Sequence, residues 1–290
     1  SGVRHCSIST DNGTTPAKNI EDVRVFWEDN PLWSGESVYP VGTKPYFEEH
    51  RKVVIEDCNE GKLNQKLFPS GTNRRRVLDL GCGPGFWTVE FALQGCKNLI
   101  AADLTHKALE LTRERCRVYG TPAVICQQDA ENLGFRDAVF SHANCPGVIH
   151  HTPNTDACVR EIARILEANG TAIISVYYKN IFLRFWPFIN WAGKLIYRLG
   201  GKLKGRGRES IFALDNTDDI IRLYDGQENP VGKGYSRNQF IEMLTPYFQI
   251  EEIFLQFFPA RTLPFKIPRW LHKFLARNFG FLICASLRKL

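Results

Sequence analysis

Residues 77–92, VLDLGCGPGFWTVEFA, place an acid two positions ahead of three glycines that alternate along the chain. Val77, Leu78 and Leu80 read as a buried strand that runs into the glycines, and Phe86 to Ala92 as a helix that begins directly after them. Gly81, Gly83 and Gly85 can take backbone angles that a side chain forbids. They also let a ligand lie against bare main chain at a helix N-terminus. The expected element is a strand, a tight turn and a helix, shaped for close approach of a ligand.

Fine spacing and charge separate two kinds of ligand. A dinucleotide turn requires G-x-G-x-x-G, but Phe86 stands where the third glycine belongs and Gly85 arrives one residue early. Asp79 beside an anionic pyrophosphate is unfavourable, whereas a ligand carrying an ammonium and a sulfonium is attracted to it. The segment LDLGCGPG, residues 78–85, resembles the first motif of class I S-adenosylmethionine-dependent methyltransferases at every defining position. Downstream, NLIAADLTHKALELTRERC ends the apolar run Leu99–Ala102 in Asp103, with Leu104 beside it, Thr105 as a helix N-cap and Gly120 as the stop. A carboxylate there, 22 residues after Gly81, can accept both hydroxyls of a ribose.

AVICQQDAENLGF supplies a third strand ending in Asp129 and Ala130, and DAVFSHANCPGVIHHTPN a fourth. In TDACVREIARILEANGTAIISVYYKN, Val159, Ile162, Ala163 and Leu166 recur at helical spacing. Gly170 is expected to stop that helix and Ala172–Val176 to form a fifth strand. The resemblance covers residues 74–180 and is greatest to the branch with the ubiquinone and menaquinone methyltransferases and many natural-product enzymes. It implies an α/β, Rossmann-like, seven-stranded, mostly parallel sheet with an antiparallel last strand. It implies S-adenosylmethionine as cofactor, held by Asp79, Gly81, Gly83, Gly85, Asp103, Leu104, Asp129, Ala130 and Asn144, with Asp129 and Ala130 against the adenine. His150 and His151 follow strand four at the substrate crevice and are the candidate general bases for a hydroxyl acceptor.

At 290 residues and 43% hydrophobic, the chain can form one large core with attachments. The expected division is a mobile tail (1–17), an N-terminal helical lid (18–73), a cofactor-binding core (74–180), a basic aromatic cap (181–235) and a part that completes the sheet (236–290), with an insertion at 258–278. The nine cysteines contain no C-x-x-C and fall mostly on expected strands and helices, which suits reduced core residues and no metal site. Residues 1–19 are polar, with no apolar signal-peptide region, so a cytoplasmic protein is expected.

Net charge is +6, but it is unevenly spread. Eight Lys and Arg with no acid lie between Lys179 and Arg208, and seven more with no acid from Pro259 to Leu290, leaving 22 basic and 31 acidic residues elsewhere. Both basic stretches are aromatic: Phe182, Phe185, Trp186, Trp191, Trp270 and Phe274 are interleaved with the charges. The expected partner is a small-molecule acceptor, anionic or amphipathic, shielded by a closing cap; an acidic carrier protein and a membrane surface are the alternatives. Candidate acceptor contacts are Tyr39, Tyr46, Trp186, Arg206, Arg208 and Tyr235. Asn144-Cys145-Pro146-Gly147 departs from the Asn/Asp-Pro-Pro-aromatic pattern of enzymes that methylate bases or glutamine amides, so no nucleic acid is expected. Oxygen is favoured over nitrogen or carbon as acceptor. A non-catalytic nucleotide-binding or regulatory protein and a dinucleotide oxidoreductase are the readings this one competes with.

Overall fold

The structure is a computed structural model that describes residues 19–33, 35–68, 76–198, 212, 214, 217–223, 225–226, 228–263 and 265–290. The segment expected to be a tail, 1–17, and the candidate residues Arg206 and Arg208 lie outside the described residues.

Five parallel strands form the sheet's main body: β1 (Arg76–Leu80), β2 (Asn98–Asp103), β3 (Val124–Gln127), β4 (Phe140–Pro146) and β5 (Leu166–Tyr178). A two-residue strand, β6 (Gly234–Tyr235), lies parallel to the end of β5, and β8 (Leu282–Lys289) runs antiparallel between β5 and β7 (Phe248–Gln256). The order is β3-β2-β1-β4-β5-β8-β7, with β6 off this path. The sheet therefore has one strand more than the seven expected, since the Gly-Tyr pair is too short to show a period. Strands covered on both faces read as continuous apolar runs rather than alternations. Val77, Leu78 and Leu80 are each 1% exposed or less, as that rule requires.

Helices α3 (Phe86–Leu93), α4 (His106–Tyr119) and α5 (Thr155–Ile165) connect successive strands. Thr105 caps α4 by accepting from the Ala108 N–H, and Asn154 caps α5 by accepting from the Ala157 N–H, each filling an orphan donor of a first turn. Gly170 does not stop α5: the helix ends at Ile165, and the chain passes directly into β5, where fully buried Leu166 pairs with Phe140. Burial of Leu166 against the sheet outweighs the helical spacing to which it also conforms.

Ahead of the sheet lie α1 (Ile20–Asp29) and α2 (Lys44–Val53), the latter continuing into a wider π turn over Val54–Cys58. Beyond β5 come α6 (Ile181–Arg184), α7 (Trp186–Arg198) and α8 (Thr217–Leu223). Helix α9 (Arg237–Leu244) starts on the Ser236/Gln239 capping box, and α10 (Arg269–Phe279) joins β7 to β8. The principal core, including Leu78, Phe140, Ile162, Ile174, Phe240 and Ile283, lies between the sheet and helices α5 and α9. All described cysteines carry free thiols.

Candidate active site

In the strand order, β2 and β3 lie on one side of β1 and β4 on the other, so a crevice opens where β1 and β4 end. A cavity of ≈ 360 Å³ occupies it. One wall is Leu80, Gly81 and Gly83, then Asp103 and Leu104, Asp129 and Ala130, and Pro146 to Val148. The opposite wall comes from the N-terminal helices through Trp27, His50 and Val53, and from the turn between them through Trp33. Arg261 also lines it; its guanidinium bonds Glu36 (2.6 Å) and Asp57 (3.1 Å) and lies over the Trp33 ring, tying the N-terminal segment to the connection between β7 and β8.

The glycine loop is held by Gly81 and Cys82 N–H groups donating to the Ala102 carbonyl at 2.7 and 3.0 Å. Gly81 has φ +69°, and a Cβ there would stand 2.3 Å from a Val148 methyl; at Gly85 (φ +73°) it would meet Thr112 Oγ1 at 2.9 Å. Those two glycines are needed for packing. Gly83 (φ +52°) has no atom within 4 Å of where its Cβ would lie, so its bare face opens onto space a ligand can use. Asp103 accepts from Gly83 N–H (3.0 Å), Thr105 N–H (3.0 Å) and Thr105 Oγ1–H (2.9 Å), which joins the loop to the end of β2. Burial raises its pKa, with the bonds from Thr105 and Gly83 opposing the rise.

On the acceptor side, His151 Nδ1 donates to the Val231 carbonyl (2.9 Å), and its Nε2 lies 3.3 Å from Asp225 Oδ2. Tyr177 OH donates to the same carboxylate oxygen at 2.8 Å, and the Trp27 ring meets His151 edge-on at 5.1 Å. His150 packs against His151 and Tyr177 with ring centroids 4.2 and 4.3 Å apart, and neither of its ring nitrogens meets a partner of good hydrogen-bond geometry. Burial first, and the neighbouring His151 second, hold its pKa well below the usual histidine range.

Residues 78–174 match the family described as a methyltransferase domain, and they include the glycine loop, Asp103, Asp129 and the histidine pair. The chain carries a class I S-adenosylmethionine-dependent methyltransferase domain. S-adenosylmethionine is the cofactor of such domains, and the open face of Gly83 beside the Asp103 carboxylate suits a ribose and an amino-acid portion laid across the loop. Over 109 residues the chain is 29% identical to a malonyl-[acyl-carrier protein] O-methyltransferase of Legionella pneumophila, covering 37% of this chain and 38% of that one. Over 112 residues it is 30% identical to a ubiquinone/menaquinone biosynthesis C-methyltransferase of Vibrio vulnificus, covering 37% and 43%. It thus matches less than half the length of either relative. A structure of a SAM-dependent methyltransferase from Methanosarcina mazei superposes with a TM-score of 0.51 at 18% identity over 74% of this chain and 92% of that one, a likeness of fold.

The methyltransferase domain places several sequence-derived residues away from the cavity. Asp79 is 1% exposed and does not line it: its carboxylate turns beneath the loop and accepts from Thr88 Oγ1–H (2.6 Å) and Asn144 Nδ2–H (2.9 Å). Asp79 and Asn144 therefore brace the floor, and burial pushes the Asp79 pKa up to about 6. Gly85 likewise packs on α4. Tyr39 is exposed; Tyr46 is fully buried with Trp33 and Phe47; Trp186 packs with Leu183, Ile220 and Ile221; Tyr235 OH donates to Thr155 Oγ1 at 2.9 Å. None of these four lines the cavity. Conversely, Trp27, Trp33, His50, Tyr177 and Asp225 line it without having been singled out in the sequence as site residues. For Asp225 the available signal was the run DGQENPVGKGY, 225–235, rich in turn formers at the end of the cap. Arg115 was missed as well: fully buried, it donates to the Phe47 and Pro84 carbonyls (both 3.3 Å) and faces His50 Nδ1 (2.9 Å), fastening α2 to the glycine loop.

Proposed function

We propose that this protein transfers a methyl group from S-adenosylmethionine to a hydroxyl of a small, largely apolar acceptor. The observation that carries the reading is the pairing of His151 with Asp225 on the wall of the same cavity that Gly83 and Asp103 line. Asp103 would hold the ribose, Asp129 and Ala130 the adenine, and the Gly81–Gly83 backbone the amino-acid portion. Bound there, the cofactor supplies a methyl already activated by its sulfonium, so the chain's task is alignment and exclusion of water, worth roughly 7–11 kcal/mol.

The residues suit that task. Trp27, Leu32, Trp33 and Val53 give the acceptor an apolar wall. With Nδ1–H committed to the Val231 carbonyl, Nε2 is the nitrogen of His151 that can take up a proton from the acceptor hydroxyl. The proton is then held between Nε2 and Asp225 Oδ2, and Tyr177 OH keeps that carboxylate in place. His150, kept neutral by burial, presses His151 toward this position rather than acting as the base. The likeness to an O-methyltransferase supports oxygen, and the likeness to a C-methyltransferase supports carbon; we favour oxygen because a hydroxyl can hand its proton to the His151/Asp225 pair through a strong hydrogen bond, whereas a C–H forms only a weak one.

The test is a panel of phenols, carboxylic acids, amines and activated carbon acids incubated with methyl-deuterated cofactor and read by mass spectrometry. Labelled ethers or esters, formed by the parent and at least tenfold more slowly by His151→Ala and Asp225→Asn, support the reading. Label confined to amines or carbon acids would overturn it.

A further inference from the structure

Helix α7, with Phe185 just ahead of it, turns an apolar stripe toward water. Phe185, Phe188 and Trp191 are 54%, 74% and 71% exposed, and Leu195 continues the same stripe at helical spacing. The opposite side, Trp186, Asn190 and Gly193, is the one that packs inward. Helix α10 repeats the arrangement, with Trp270 at 70% and Phe274 at 53% exposed while His272 and Ala276 are buried. An outward apolar stripe inverts what a helix covering a core or a substrate presents. None of the six aromatics that the sequence suggested for a closing cap lines the cavity.

The two segments that carry the stripes touch at one end. Phe182 of α6 meets Phe279 of α10 with ring centroids 5.6 Å apart, Phe279 meets Phe274 at 6.1 Å, and Asn180 Nδ2 donates to the Phe279 carbonyl at 3.0 Å. Exposed cations flank the apolar residues on both elements: Arg184, Lys194 and Arg198 on one, Arg269, Lys273 and Arg277 on the other. No acidic residue occurs within 179–208 or 259–290.

We propose that this face docks on the surface of an anionic lipid bilayer, with the aromatic and aliphatic side chains in the headgroup layer and the Lys and Arg side chains on lipid phosphates. Rings interleaved with cations, with no acid in either segment and Glu60 as the acid that faces Lys273 and Arg277 from a neighbouring turn, have the composition of helices that lie in the interfacial plane. The protein would lie on the bilayer rather than span it, since no helix among the described residues is long and apolar enough to cross. A second copy docked face to face would oppose like charges. An acidic protein partner would account for the cations but not for a row of protruding rings. Phe182 also packs on Phe258 and Phe281, which neighbour Phe257 and Leu282 of the cavity wall, so docking leaves the cavity beside the lipid surface.

The experiment is co-sedimentation of the full chain with vesicles of phosphatidylcholine alone and of phosphatidylcholine mixed with phosphatidylserine. It needs no turnover, so it is independent of the proposed reaction. The parent is expected to sediment with the mixed vesicles only, and less as salt rises. The surface variant Phe188→Ser/Trp191→Ser, with parental circular dichroism, should lose binding by at least about tenfold; Lys273→Glu/Arg277→Glu should do the same, while Val38→Ser, at an exposed site elsewhere, should not. Three results would overturn the proposal: no binding to the mixed vesicles at low salt, undiminished binding by the folded variants, or sedimentation velocity showing a dimer that Phe188→Ser/Trp191→Ser disperses.

Discussion

Replacing Asp103 by alanine removes a carboxylate that braces the glycine loop and, in the proposed placement, holds the ribose of the cofactor. An ionised carboxylate offers about four acceptor sites, and three are already engaged by Gly83 N–H, Thr105 N–H and Thr105 Oγ1–H. Oδ1 takes both Thr105 donors, Oδ2 takes Gly83, and the Leu104 N–H also bonds this carboxylate, so most of its acceptor capacity is committed within the protein. That leaves room for at most one strong bond to a ribose hydroxyl rather than the two that sequence spacing alone allows. A charge-assisted bond contributes roughly 1.5–3 kcal/mol, so the dissociation constant should rise by roughly 10- to 150-fold. The protein should also lose stability, because the Gly83 and Thr105 donors are left without their acceptor, at about 1–3 kcal/mol for each that stays buried. Titration calorimetry with the cofactor's demethylated product measures the first effect, and urea unfolding measures the second. A folded Asp103→Ala protein that binds within twofold of the parent would refute the placement of the ribose on this carboxylate.

The two glycines facing the cavity should respond differently to alanine. Gly81→Ala combines a left-handed backbone with a 2.3 Å contact to Val148 and should cost roughly 2–5 kcal/mol in urea unfolding, part of it recovered by adding Val148→Ala. Gly83→Ala meets nothing, so it should cost only the roughly 1–2 kcal/mol of backbone strain while weakening cofactor binding in calorimetry. Burial raises the Asp79 pKa from 3.8 to about 6, so the bound proton stabilises the fold below pH 4, and that contribution is lost as pH rises through 6. Asp79→Asn should therefore flatten the fall in stability between pH 4 and 7 by roughly 3 kcal/mol; a parental slope in the variant would contradict the assignment. The His150 ring, with its pKa held well below 6.5, should show nitrogen shifts of a neutral imidazole in NMR spectra from pH 8 down to 6, and a midpoint near 6.5 would remove it from the buried stack.

The succession of strands and helices from Val77 to Val176 was legible because each signal is local. Apolar runs end in turn formers, Thr105 and Asn154 stand where first-turn donors need acceptors, and three glycines interrupt the chain between a strand and a helix. Position along the chain also singled out Asp103, Asp129, His150 and His151 at the ends of strands. Orientation was not legible. Asp79 lies on a strand covered on both sides, so its charge, read from sequence as facing the ligand, turned instead to Thr88 and Asn144 beneath the loop. The outward stripe of α7 was hidden because periodicity marks which residues share a side, not whether that side meets the core or the solvent. Contact between residues distant in sequence left no periodic trace: the approach of Asp225 to His151, the grip of Arg115 on α2 and the strand Gly234–Tyr235 all depend on where folding brings separate segments. Local hydrogen bonding and burial pattern determined the elements from the sequence alone, whereas the cavity and its polar partners were decided by packing across the sheet.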